Sequence, residues 1–135
     1  MGSEGQKRNG PTPVFLGLFL CDQVITDVVT KKRSIIGIFD QFNLGQYPSK
    51  VSFTILARVT DGDGDYQGKL EIVYLDEDKV CGVATGPLKI RNRMSVHDLI
   101  VTMDFPIPKE GNYEVRFFVD GAYLGRSVFR AVKPK

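Results

Sequence analysis

The stretch VSFTILARVT, from Val51 to Thr60, sets Val51, Phe53, Ile55, Ala57 and Val59 against Ser52, Thr54, Leu56, Arg58 and Thr60. A period of two is the signature of a strand with one face in a core and the other mostly wet. The same pattern recurs downstream. His97, Leu99, Val101, Met103 and Phe105 oppose Asp98, Thr102 and Asp104, and Tyr113, Val115, Phe117 and Val119 oppose Glu114, Arg116 and Asp120. Further runs at residues 15–21, 34–39, 70–75, 79–85 and 124–132 bring the expected total to about eight strands, with no 3.6-residue stripe anywhere. Asp61-Gly62-Asp63-Gly64, Asp76 to Lys79 and Asp120 to Tyr123 separate them as turns, because Asp caps its own turn and Gly accepts positive φ. Such a meander predicts an all-β fold: an antiparallel β-sandwich of about eight strands, immunoglobulin-like in appearance.

A chain of 135 residues suits one domain, placed at 14–135. Residues 1–13, with three glycines and two prolines among polar side chains, bury too little to repay ordering and are expected to form a disordered N-terminal tail. The hydrophobic fraction of 42% with 25% charged residues is that of a soluble globular domain. A net charge of +2 supplies no long-range field for a polyanion. Val14 to Cys21 follows Lys7 and Arg8, but Phe19 and Leu20 stand where a leader peptidase needs small residues, and the run is far short of the roughly 20 residues that span a bilayer. A cytoplasmic protein with no membrane contact is expected. Cys21 and Cys81 are spaced for no metal site, and without a Trp between them they read as reduced, buried, small apolar side chains.

Cys21-Asp22, Asp27, and Lys32 through Ser34, Gly37, Phe39 and Asp40 resemble the opening of a bacterial family of small all-β proteins classed as a domain of unknown function. Tyr47-Pro48, the turn from Leu56 to Tyr66, Val73 to Asp76, and Gly111-Asn112-Tyr113 through Val119-Asp120-Gly121 continue the resemblance in order. It implies a β-sandwich and carries over no catalytic residue, so function has to be argued from sites.

Asp61, Asp63 and Asp65 copy the opening of a calcium loop, but Tyr66 and Ile72 stand where that loop needs Gly and Glu; no metal or other cofactor is expected. Ser95, His97 and Asp98 hold the residue types of a hydrolytic triad, yet on a strand Asp98 points away from the other two, and no catalytic residue is assigned. Gly68-Lys69-Leu70 lacks the spacing and the following Ser or Thr of a phosphate loop. Lys89, Arg91 and Arg93 would project from one strand face as a three-cation row able to contact a polyanion, with Lys31, Lys32 and Arg33 as a second cluster. Phe118 faces outward by alternation, and Phe42, Leu44 and Tyr47 lie in a connection; clustered, the four would form a partner surface. The expected function is therefore a non-enzymatic protein-binding or assembly module, for an unknown protein partner or self-association. A nucleic-acid or polyanion binder is the alternative, and a small enzyme around His97 the third reading.

Overall fold

The computed structural model describes residues 10–135, so the expectation for residues 1–9 lies outside the described residues. The described residues run through ten strands: β1 (Val14–Cys21), β2 (Gln23–Thr26), β3 (Arg33–Ile36), β4 (Gln41–Asn43), β5 (Ser49–Thr60), β6 (Gly64–Tyr74), β7 (Lys79–Ile90), β8 (Val96–Ile107), β9 (Gly111–Val119) and β10 (Ala122–Val132). A three-stranded sheet, β1-β5-β8, packs on a five-stranded sheet, β4-β10-β9-β6-β7, and β2 and β3 form a separate hairpin. The fold is an all-β sandwich. All pairings are antiparallel except β4 with β10, where Gln41 to Asn43 run parallel to Arg130 to Val132.

The alternation in Val51 to Thr60 does what its period predicts. Phe53, Ile55, Ala57 and Val59 are at most 1% exposed and join Leu70, Ile72, Tyr113, Val115, Phe117 and Phe129 in one core. Aromatic rings fill its middle: Phe129 stacks on Tyr113 at 4.9 Å and meets Phe42 and Phe53 edge-on at 5.6 and 6.3 Å. Tyr113, at the start of β9, donates its hydroxyl to the Lys109 carbonyl at 2.7 Å, and burial pushes its pKa up to about 12. Close sheet approach requires glycine at one cross-strand pair: a Cβ on Gly68 or on its partner Gly86 would lie 2.8 or 3.0 Å from the Leu99 side chain.

Four features differ from the sequence expectation. Residues 10–13 are held rather than loose: the Gly10 amide donates to Asp63 O, Tyr66 donates its hydroxyl to Pro11 O, and Pro13 is buried. The expected strand over 34–39 stops at Ile36, because Gly37 at φ 75° turns the chain. β2 and β4 are additional strands, each too short for a readable period. Finally, Thr54 and Leu56 sit on the face of β5 opposite the core yet are 2% and 1% exposed. The β2–β3 hairpin covers them. It starts beside Thr54, whose hydroxyl donates to Asp22 O, and near its far end Arg33 reaches Asp98 on the outer face of β8. The sandwich thus carries a small third layer.

Gly37 holds the base of that layer. Its carbonyl and that of Ile36 both accept from the Asp22 amide, and a Cβ there would collide with the Asp22 carboxylate. Gly37→Ala is expected to cost about 2 kcal/mol, from the left-handed φ plus the clash. Urea unfolding would measure it, and a loss under about 0.5 kcal/mol would show that the hairpin base is not fixed in this way.

Candidate functional site

Only Lys89 of the expected cation row lies in a strand. β7 ends at Ile90, so Arg91 and Arg93 follow it in the connection to β8, and each is drawn onto the acidic turn: Arg91 Nη1 to Asp65 Oδ1 and Arg93 Nε to Asp61 Oδ1, both at 2.8 Å. The Arg93 contact holds the Asp61 carboxyl below the usual aspartate range. Lys89 faces Asp65 across the β6–β7 register. The two features the sequence sets apart, an acidic turn and a basic stripe, are therefore halves of one ion-paired loop contact, and the row of three free cations is not formed. Among the described residues no group of three His, Cys, Asp or Glu side chains is placed to hold a metal ion. Lys31 and Lys32 are exposed on the hairpin, while Arg33 is committed to Asp98.

The residues of the expected triad stay apart. His97 stands opposite Val59, Ser95 has its carbonyl taken by Thr60, and the Asp98 carboxylate is gripped on the other face. Arg58 donates from Nε and Nη2 to its two oxygens at 2.8 and 3.0 Å, and Arg33 donates from Nη1 at 2.5 Å. Burial pulls the Asp98 pKa upward, but the two guanidinium groups outweigh it and the net shift is down. Cys21 pairs with Thr54, midway along β5 and five residues from the Val59 that faces His97, and its thiol donates to Thr54 O. The thiol of Cys81, only half-buried, donates to Ile72 O. Both cysteines are free, and burial pushes both thiol pKa values up, away from nucleophilic thiolate. Lys69, of the discarded phosphate-loop pattern, pairs with Glu71 at 3.3 Å.

The four expected partner-surface residues do not cluster. Phe42, Leu44 and Tyr47 plug the open end of the core, where Leu44 N and the Tyr47 hydroxyl both donate to Val132 O. Phe118 lies on the outer face of the five-stranded sheet, edge-on to Tyr123 and under the Lys69 ammonium. Other apolar side chains are exposed, among them a group on the opposite sheet. On the outer face of the three-stranded sheet, Phe19 and Ile100 flank the covered Leu56 in one cross-strand row, Val14 and Val96 flank Thr60 in another, and Leu16 lies at the bulge between them. Val14 and Leu16 are each 48% exposed and Val96 49%. Ile25 and the hairpin-tip residues Val28 and Val29 add to this side of the molecule. The tip is shaped by Asp27, whose Oδ1 accepts from the amides of Val29 and Thr30, both at 2.8 Å. The signal was in the sequence: VFLGLFLC is apolar on both faces, which a strand with one wet face is not.

Residues 16–132 match the family described as Family of unknown function (DUF6941). The chain belongs to this family. The family match spans both sheets and the hairpin. Motif pieces well separated in the sequence meet in space: Asp22 closes on Gly37, and Leu75-Asp76 on Gly111-Asn112, where the Asn112 side chain donates to Asp76. No curated protein matches the chain. Among the described residues no helix is long and apolar enough to cross a membrane.

Proposed function

We propose that this domain is a non-enzymatic assembly module that pairs with a second copy of itself along β1. The observation that supports this reading is a difference among the sheet edges. β4 is three residues long; β7 carries Lys79, Pro87 and Lys89; and β8 carries Asp98, Asp104 and Pro106. Short length, charge and proline are the usual means of keeping an edge from pairing. β1 has none of them in its eight residues. Its neighbour on one side is β5; on the other the Phe39 amide bonds to Leu20 O near its end and the Phe15 ring packs on Gly125 of β10, but Val14 to Phe19 have no second strand partner among the described residues. Antiparallel pairing of two β1 strands about a two-fold axis satisfies both edges at once and sets Val14, Leu16 and Phe19 of each copy beside those of the other.

The scaffold fits this role. An immunoglobulin-like reading of the sandwich is supported by the strand order, with β4 parallel to the last strand, and by the hydroxyl of Tyr113 returned to the backbone four residues upstream. Such sandwiches commonly work through edges and loops. Sedimentation velocity tests the proposal. The expected result is a dimer at about 100 µM that Leu16→Lys weakens roughly tenfold or more, through lost apolar contact and like charges meeting across the axis. Val83→Lys, on the outer face of the other sheet, should leave it intact. A wild-type monomer at that concentration, or a dimer indifferent to Leu16→Lys, overturns the assignment.

A further inference from the structure

Where the β6–β7 turn, the β8–β9 connection and the start of β5 converge, Pro48, Tyr74, Cys81, Pro106 and Pro108 wall a cleft of about 320 Å³, with Glu77, Lys79 and Lys109 at its rim. That volume is at the low end for small-molecule sites, on the order of ten water volumes, enough for one ring with a short side arm. Three of the wall residues are prolines, which have no side-chain rotamer freedom to lose and no amide N–H to leave unpaired when a ligand displaces water. The wall is thus apolar and already formed. The Tyr74 hydroxyl donates to Glu110 O, so its ring is held in place as one side of the cleft.

The rim charges divide unequally. Lys109 is spent: its ammonium pairs with Glu77 at 2.5 Å and stands 5.6 Å from the centre of the Tyr74 ring. Asp76, near the same ring, is engaged by the Asn112 side chain. Lys79 is exposed and has no ion-pair partner among the described residues. An apolar cleft with one uncompensated ammonium at its mouth complements a molecule that is apolar at one end and singly anionic at the other.

We propose that this cleft binds a small aromatic or branched aliphatic monocarboxylate, its hydrocarbon part between Tyr74 and the prolines and its carboxylate on Lys79. The assignment does not depend on self-association, because none of these residues lies on β1.

The probe is 3-phenylpropanoate, titrated into the full chain and followed by amide NMR shifts, beside its neutral amide. Saturable shifts confined to residues 77–81 and 106–110 are expected, with the amide about tenfold weaker. Lys79→Gln, an exposed substitution that leaves the fold intact by circular dichroism, should erase the preference for the acid while keeping residual binding of both. Absence of saturable shifts, equal affinity of acid and amide for the wild type, or shifts mapping to the outer face of the three-stranded sheet would each overturn the proposal.

Discussion

Phe129→Ala is expected to lower the unfolding free energy by about 3–5 kcal/mol, the range for removing a large aromatic from a fully buried site. Phe129 is 0% exposed and touches rings from three parts of the chain: Tyr113 on the adjacent strand, Phe53 on the facing sheet, and Phe42 on β4. Tyr113, tied to Lys109 O, and Phe53, held mid-strand, are poorly placed to refill the space. For a domain whose total stability is of the usual 5–15 kcal/mol, this removes a large share, with a fall in melting temperature of roughly 10–20 °C. Guanidinium unfolding would measure it. A loss under about 1 kcal/mol would mean that the ring cluster does not organise the core. Since β4 meets the sheet only through β10, its amides should lose hydrogen-exchange protection first.

How much of this was legible depends on what each element leans on. β5, β8 and β9 pack one face on the core and carry mostly polar side chains on the other, so residue chemistry alternates with position and the strands can be read directly. β4 could not be read this way. Gln41, Phe42 and Asn43 carry no period, and they are a strand only because β10, nearly ninety residues later, offers its edge in parallel. β3 was read too long because Gly37 ends it with a turn that composition alone does not display, and the four residues of β2 are too few to show a period. The sandwich was legible; its third layer was not.

The site suffered more, because side-chain destinations depend on partners far along the chain. Lys89, Arg91 and Arg93 look like a free stripe until the Asp61 to Asp65 turn is set against them, a pairing fixed by the β6–β7 register. Phe42, Leu44 and Tyr47 look like loop hydrophobics awaiting a partner, but a sandwich end needs a plug and these residues supply it. The β1 surface, by contrast, was open to inspection: a strand apolar on both sides must bury both or share one.

Asp98→Ala is expected to cost about 2–3 kcal/mol at neutral pH and to loosen the β2–β3 hairpin. The carboxylate side chain is 1% exposed and is the point where Arg33, from the hairpin, and Arg58, from β5, converge on the outer face of β8. Removing it leaves two guanidinium groups facing each other. Both are partly exposed, 33% and 42%, so water relieves part of the repulsion and the loss falls below that for a fully buried pair. The sign of the pH dependence follows from the direction of the shift. The Asp98 pKa is lower in the folded chain than in the unfolded one, so its stabilisation is complete above about pH 4 and is lost as pH falls through the folded value. Wild type should therefore lose stability on acidification faster than the variant, and the two curves should converge at low pH. Glu114, depressed by Arg116 and Arg126 against the opposing pull of burial, leaves a remaining acid slope in both proteins. Urea midpoints from pH 2.5 to 7 would test this. Parallel curves would show that folding does not lower the Asp98 pKa, and unchanged exchange at Val24 and Ile35 would show that the hairpin is held by its base at Gly37 rather than by this ion triad.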